Sequence, residues 1–158
     1  MTITAGPVQI EADDPGADDV RALLTAHLTF AGEHSPPEDV HALDVDGLRA
    51  ADISFFSARR DGALLAVGAL KALDPRHGEI KSMHTTASAR GQGIGRAMLD
   101  HLLGLARSRG YEQVSLETGS MAAFEAARTM YATAGFTPCE PFADYVPSGY
   151  SVWMTLVL

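Results

Sequence analysis

The central loop of the sequence reads Arg90-Gly91-Gln92-Gly93-Ile94-Gly95-Arg96 and lies between a strand-like and a helix-like segment. Its three glycines let the backbone turn tightly and approach a ligand closely. The following helix would begin inside this loop, so its free N–H groups and positive dipole end would favour an anion. Arg90 and Arg96 add positive charge beside it. The loop therefore predicts a binding site for a phosphate or pyrophosphate group.

Three kinds of phosphate loop compete for this segment. The Walker A loop ends in Gly-Lys-Ser/Thr, and neither the lysine nor the hydroxyl is present here. The Rossmann fingerprint Gly-x-Gly-x-x-Gly has Arg96 where its last glycine belongs, which argues against NAD binding. The third pattern, Arg/Gln-x-x-Gly-x-Gly/Ala, is filled by Arg90, Gly93 and Gly95. The alternative interpretation is a glycine-rich turn that has only a packing role and binds no ligand.

The third pattern and its surroundings carry a family resemblance. A strand precedes the loop at 79–86, a helix and a strand at 111–117 follow it, and a second helix carries Tyr131 just before Gly135-Phe136. In these features the chain resembles the GNAT superfamily of acyl-CoA-dependent N-acetyltransferases, most strongly over residues 77–137. Two strings are also similar to those of small bacterial GNAT proteins: His77–Met83 and Ser115–Ser120.

The rest of the chain predicts strands and helices in alternation. Apolar residues three and four apart mark helices, β-rich runs mark strands, and Asp61-Gly62 marks a hairpin turn. Ser120 is placed to cap the helix that carries Tyr131, and Pro7 restricts the first strand to a sheet edge. The predicted strands are 2–11, 53–60, 63–72, 79–86, 111–117, 136–140 and 150–157; the predicted helices are 18–31, 46–51, 121–134 and one from Ile94 that stops at Gly110; a turn is predicted at 74–78.

This order of elements predicts an α/β (α+β) fold, in which helices pack on a mixed sheet. The resemblance implies a GNAT-like mixed, mostly antiparallel central sheet of about seven strands flanked by about four helices. It also implies a cleft where the strands at 79–86 and 111–117 splay apart. The length of 158 residues matches about one domain, so residues 1–158 are expected to form one acyl-CoA N-acyltransferase domain.

Composition and charge exclude several classes of protein. Apolar residues make up 46% and charged residues 20% of the chain, which excludes a disordered protein. The net charge of −8 argues against nucleic acid as a partner, because binding phosphates requires a cationic face. The whole excess of negative charge lies in residues 1–50, which contain ten acidic and two basic residues. This acidic third is either a solvated surface or a field that attracts a cationic amine.

The sequence shows no sign of a membrane segment or a metal site. Its longest apolar run, 63–70, has eight residues, whereas a membrane-spanning helix needs about 20. Cys139 is the only cysteine, so an intrachain disulfide and a cysteine-based metal cluster are excluded, and no His-x-x-x-His pair occurs. We therefore expect a cytoplasmic protein without a metal cofactor. The sequence is compatible with a homodimer as well as with a monomer.

The resemblance implies that acetyl-CoA is the co-substrate and that the central loop binds its pyrophosphate. One backbone N–H of the preceding strand, at Met83, His84 or Thr85, would polarise the thioester carbonyl while this strand edge pairs with the pantetheine arm. Many GNAT enzymes have asparagine where this chain has Phe124, so Phe124 and Ala127 are expected to make apolar contacts with that arm. The implied pyrophosphate ligands are Arg90, Gly91, Gln92, Gly93, Ile94, Gly95 and Arg96.

Tyr131 stands where GNAT enzymes carry their general acid. Attack of an amine on the thioester expels the thiolate of CoA, whose parent thiol has a pKa of about 8.5. A phenol with a pKa of about 10 stays protonated at neutral pH and can donate a proton to that thiolate. Tyr131 also shares a helix face with Phe124 and Ala127, so a core aromatic residue is the alternative.

A base is needed as well, because an alkyl amine attacks only in its neutral form. Glu79 occupies the strand position of the basic glutamate of histone-acetylating GNAT enzymes, and strand alternation puts Glu79, Lys81 and Met83 on one face. Lys81 is also close enough in sequence to pair with Glu79 and weaken it as a base. Glu117 is the alternative base or a carboxylate that binds the amine, and ordered water is the third possibility.

The connection at 32–45 is where GNAT enzymes often line the acceptor site, so His34 and His41 are candidate substrate-binding residues. The resulting prediction is an N-acetyltransferase that transfers acetyl from acetyl-CoA to a primary amine of a small-molecule acceptor by direct attack. Cys139 is a poor nucleophile candidate because no histidine accompanies it in a motif. The alternative function is a non-catalytic GNAT-fold acyl-CoA sensor or binding module.

Overall fold

One seven-stranded mixed sheet organises residues 6–158, the part of the chain that the computed structural model describes. The strands are β1 (Gln9–Ala12), β2 (Ile53–Arg60), β3 (Ala63–Asp74), β4 (His77–Thr85), β5 (Gln113–Gly119), β6 (Thr137–Cys139) and β7 (Ser151–Val157). The helices are α1 (Asp18–His34), α2 (Val45–Leu48), α3 (Ile94–Ser108) and α4 (Glu125–Thr133). The sheet order is β1-β2-β3-β4-β5-β7-β6, which confirms the predicted fold.

Several predicted boundaries are wrong by a few residues. Residues 2–5 of the first predicted strand lie outside the described residues, and β1 begins after Pro7. The predicted turn at 74–78 is shorter, because β4 already begins at His77. Ser120 does not cap α4: its hydroxyl donates to the Gly149 carbonyl at 2.6 Å, and a 3-10 turn at Ala122–Phe124 precedes the helix.

The two faces of the sheet carry separate cores. The amphipathic helix α3 buries Met98, Leu99 and Leu102 on one face, against Leu70 of β3 and Ile80 of β4. Helix α1 covers the opposite face with Val20, Leu23 and Leu24. Because both helices are fixed by apolar packing, the C-terminal part of α1 and the start of α3 are held against the same sheet.

Strands β4 and β5 form the parallel pair of this sheet, and they stay paired over only four positions. Their register runs from His77–Gln113 to Ile80–Leu116. Beyond it β4 continues to Thr85 and β5 to Gly119, with no further pairing between the two. The predicted splay is therefore present, and it leaves backbone edges open in the centre of the sheet.

A β-bulge interrupts β4 at Ser82, which has a φ of 57°. Val67 of β3 pairs with His84 and Ala69 pairs with Lys81, so β4 has one extra residue between these pairs. The extra residue turns Met83 to the α3 face, where its sulfur lies beside Gly68 and Met98. The prediction that Glu79, Lys81 and Met83 share a face is therefore wrong for Met83, because simple alternation does not survive the bulge.

Candidate active site

A cleft of about 610 Å³ lies where β4 and β5 separate. Its walls come from α1, the connection at 39–42, the end of β4, the central loop, the end of β5 and α4. Most of the predicted site residues meet here. The predicted residues that line the cleft are His41, Met83, His84, Thr85, Arg90, Gly91, Gly93, Ile94, Gly95, Arg96, Glu117, Phe124, Ala127 and Tyr131.

Three predicted site residues do not line the cleft: Gln92, His34 and Glu79. The Gln92 side chain folds back onto its own loop, and its amide donates to the Ser88 carbonyl at 3.1 Å. His34, at the end of α1, packs against the rings of Phe30 and Phe124. Glu79 lies behind Lys81 and is almost completely buried.

The central loop has the geometry of an anion site. Gly91 and Gly93 adopt left-handed backbone conformations with φ of 75° and 79°, and nothing lies within 4 Å of where their side chains would begin. Gly93 caps α3, and the first N–H groups of that helix have no acceptor within the helix. Arg90 is held to the end of β4 by a 3.3 Å bond from its Nε to the Thr85 carbonyl.

The end of β4 is fixed by a pair of histidines. His84 Nδ1 lies 3.1 Å from His27 Nδ1 of α1, so one ring donates and the other accepts. Burial lowers the pKa of His27 to about 4, and burial together with the Arg90 charge lowers the pKa of His84. Both rings are therefore neutral at pH 7, and they hold α1 against the strand that ends at the loop.

Tyr131 lies on α4, deep in the cleft wall, and is only 6% exposed. Its ring packs on Phe136 with a centroid separation of 5.8 Å. Burial raises the pKa of the Tyr131 phenol above its ordinary value, and the charge of Glu117 raises it further. The side chain is thus both a core aromatic residue and a protonated phenol within the cleft wall.

Glu117, near the end of β5, is the titratable carboxyl best suited to act in this cleft. Burial raises its pKa to about 7, although the Ser151 hydroxyl and the Lys81 ammonium pull it down. A group with this pKa is partly deprotonated at neutral pH and can accept a proton.

Glu79, by contrast, is engaged in a buried cluster of hydrogen bonds. Its Oε2 accepts from the Tyr145 hydroxyl at 2.5 Å and from Lys81 Nζ at 3.3 Å. The Lys81 pairing that the sequence offered as an alternative is therefore present. Tyr145 was missed because it lies 66 residues away in a connection without a recognisable motif. The ring of His41 stands edge-on to Tyr145 at 4.8 Å and continues this cluster into the cleft wall.

Comparison with known proteins identifies the family. The model of the acetyltransferase (GNAT) family matches residues 17–136. The chain belongs to the GNAT acetyltransferase family. The Bacillus subtilis (strain 168) protein named Uncharacterized N-acetyltransferase YsnE is 49% identical over 148 residues, covering 94% of this chain and 98% of that protein. The IAA acetyltransferase of Azospirillum brasilense is 36% identical over 150 residues, covering 93% and 95%.

Solved structures of GNAT-type proteins share the fold. A Klebsiella pneumoniae protein assigned to the acyl-CoA N-acyltransferases superposes with a TM-score of 0.79 and 25% identity over 96% of this chain and 97% of that one. A Bacillus subtilis acetyltransferase in complex with CoA superposes with a TM-score of 0.72 and 19% identity, covering 96% and 99%. The prediction of a GNAT-superfamily N-acetyltransferase is confirmed, and the Rossmann alternative is wrong because the sheet is mostly antiparallel.

Residues 6–158 contain neither a membrane-spanning helix nor a cluster of metal-ligating side chains. None of the helices in this range is long and apolar enough to cross a membrane. Within the same range, no three His, Cys, Asp or Glu side chains are grouped so as to hold a metal ion.

Proposed function

We propose that this GNAT enzyme transfers an acetyl group from acetyl-CoA to the primary amine of a small-molecule acceptor. The observation that carries the proposal is the meeting, in one cleft, of the glycine loop, the splayed ends of β4 and β5, and the Tyr131 and Glu117 side chains. The CoA complex of the similar Bacillus subtilis structure supports the donor. The related IAA acetyltransferase supports a small-molecule acceptor.

The central loop fits the pyrophosphate of acetyl-CoA. Open space beside Gly91 and Gly93 leaves their backbone accessible to a ligand, and Arg90 and Arg96 also line the cleft. The N–H groups at the start of α3 supply further donors for an anion. The backbone of Met83, His84 and Thr85, beyond the bulge, would bind the pantetheine arm and polarise the thioester carbonyl. When bound, acetyl-CoA supplies the acetyl group.

Glu117 and Tyr131 are placed to move the two protons of the reaction. Glu117 accepts the proton of the acceptor amine, because its carboxyl lines the cleft and has a pKa of about 7. Tyr131 donates a proton to the departing sulfur, because burial keeps its phenol protonated. We place Glu117 ahead of Glu79 as the base, since Glu79 is already bonded to Tyr145 and Lys81. The amine attacks directly, without a covalent enzyme intermediate.

An acceptor screen tests this proposal. Purified protein is incubated with acetyl-CoA and a panel of primary amines, and the release of free CoA thiol is followed. We expect at least one amine to raise thiol release well above the rate without acceptor, and Tyr131→Phe to remove that increase while CoA still binds. A protein that binds CoA but acetylates no amine would instead be the acyl-CoA-binding module considered above.

A further inference from the structure

Lys81 brings a buried positive charge to the acceptor part of the cleft. Its side chain is only 8% exposed, yet it lines the cleft beyond the last paired residues of β4 and β5. Glu79 and Tyr145, which contact its ammonium group, do not line the cleft. The carboxylate that pairs with Lys81 therefore lies outside the cleft lining, whereas Lys81 itself belongs to that lining.

The hydrogen bonds of Lys81 are incomplete among residues 6–158. Its Nζ lies 3.3 Å from Glu79 Oε2 and 3.1 Å from the Tyr145 hydroxyl, which use two of its three N–H donors. A buried ammonium group with an unused donor is costly, because it has lost water without a full set of partners. An anionic oxygen entering from the cleft would complete the set.

The charged groups around Lys81 define a pocket with a positive and an acidic side. Lys81 is close enough to lower the pKa of His41 and of Glu117, and Asp39 acts on both groups in the opposite direction. All four residues line the cleft. A ligand between Lys81 and Glu117 would therefore meet a cation at one end and a proton-accepting carboxyl at the other.

We propose that Lys81 binds a carboxylate of the acceptor, so that the acceptor is an amino acid or a close relative with an amine and a carboxylate near each other. This inference rests on the proposed N-acetyltransferase function. It assigns the carboxylate to Lys81 while the amine lies towards Glu117, where its proton is removed. Arg90 and Arg96 lie at the loop and serve the pyrophosphate of the donor.

The same geometry argues against a purely cationic acceptor. Of the ten acids in residues 1–50, all within the described range, only Asp39 lines the cleft. Asp13 and Asp19 pair with Arg59, where β2 meets the start of α1. Nine of the ten acids thus lie outside the cleft lining, and the charge count of residues 1–50 does not describe the acceptor pocket.

The test compares amines that differ only in the carboxylate. The probe pairs are L-phenylalanine with phenethylamine, L-tryptophan with tryptamine, L-histidine with histamine, and L-lysine with cadaverine, each assayed for CoA release from acetyl-CoA. We expect at least one amino acid to exceed its partner amine about tenfold or more in kcat/KM, as one charge-assisted bond allows. This comparison uses the unmodified protein and needs no variant to fold.

A matched pair of lysine variants assigns the effect. Lys81→Met should remove the preference by raising KM for the amino acid, with little change for the partner amine. Lys71→Met is the control, because Lys71 lies opposite Glu79 on β3 but does not line the cleft, and it should keep the preference. Circular dichroism and CoA affinity show whether each variant is folded.

Each outcome decides between the proposals. Equal kcat/KM within every acetylated pair would overturn the role of Lys81 while leaving the N-acetyltransferase function intact. A loss of activity in Lys81→Met that affects both members of a pair equally would also overturn it. If neither the probe pairs nor any amine of the wider screen is acetylated while CoA binds, the proposed function fails, and the acceptor inference fails with it.

Discussion

Tyr131 combines protection from water with access to the cleft, which are the two properties a proton donor to sulfur needs. We expect Tyr131→Phe to lower kcat about 100-fold or more, the typical contribution of general acid catalysis. The Kd for CoA should stay the same, since the phenyl ring still packs on Phe136. Steady-state kinetics and calorimetry measure the two quantities. Tyr150→Phe, at an exposed tyrosine, is the control, and an unchanged kcat in Tyr131→Phe would exclude the proton-donor role.

Glu117 should impose a pH dependence on the reaction. The base acts in its deprotonated form, so kcat/KM should rise with pH and level off above about 7, where Glu117 titrates. Glu117→Gln should remove this ascending limb and lower kcat about 100-fold. The pH profile of kcat/KM for an acetylated amine is the measurement. Glu112→Gln, at an exposed glutamate, should keep both the limb and the rate. An ascending limb that persists in Glu117→Gln would point to another base, with Glu79 the first to test.

Glu79 and Glu117 also show how far the sequence alone can identify a catalytic base. Both Glu79 and Glu117 could be selected as candidates, because strand position and family resemblance are local properties. Which of the two is better placed to act as the base depends on Tyr145, whose hydroxyl donates to Glu79 although the two residues lie 66 positions apart in the chain. Such a long-range contact leaves no periodic or spacing signal in the sequence.

The glycine loop and the start of α3 act as one unit, because Gly93 of the loop caps the helix. Gly93→Ala places a side chain at a φ of 79°, which is unfavourable by about 1–2 kcal/mol and should shift the first turn of α3. We expect KM and Kd for acetyl-CoA to rise about tenfold, with a smaller change in kcat. Gly104→Ala, in the exposed middle of the same helix with open space around it, is the matched control. Equal effects of the two variants on cofactor affinity would argue against the loop as the pyrophosphate site.

The loop was predictable because its signal is local, whereas the adjoining bulge was not. Glycine spacing and the amphipathic pattern after Ile94 together indicate a turn followed by a helix. The bulge at Ser82 depends on how β4 pairs with β3, and serine has no special preference for a positive φ. Because of the bulge, the Met83 side chain lies on the opposite face of the sheet from the one predicted, although Met83 still lines the cleft.

At the scale of the whole molecule, the cleft exists because α1 and α3 pack on opposite faces of one sheet whose central strands diverge. The alternation of elements predicted helices packed on a mixed sheet, since each amphipathic segment needs a sheet face to cover, whereas the diverging strands were implied by the family resemblance. The depth of the cleft was not predictable, because it depends on pairing that ends at Ile80 and Leu116. A cleft in the middle of a sheet leaves polar groups such as Glu117 partly buried, and this burial raises the pKa of the Glu117 carboxyl.

Burial of Glu117 should make the folded protein less stable as the pH rises. Its pKa is raised from 4.5 to about 7, so the folded state holds a proton that the unfolded state releases between these values. Stability from this group is fully present below pH 4.5 and is lost as the pH rises through 7, a change of about 3 kcal/mol. The amide introduced by Glu117→Gln cannot ionise, so this variant should not lose stability in this way as the pH rises. In urea unfolding, the stability advantage of Glu117→Gln over the wild type should therefore grow by that amount between pH 4.5 and 8. The exposed control Glu112→Gln should show no such growth. If the advantage of Glu117→Gln were constant across this range, Glu117 would titrate normally, and its assignment as a base tuned by burial would lose its physical ground.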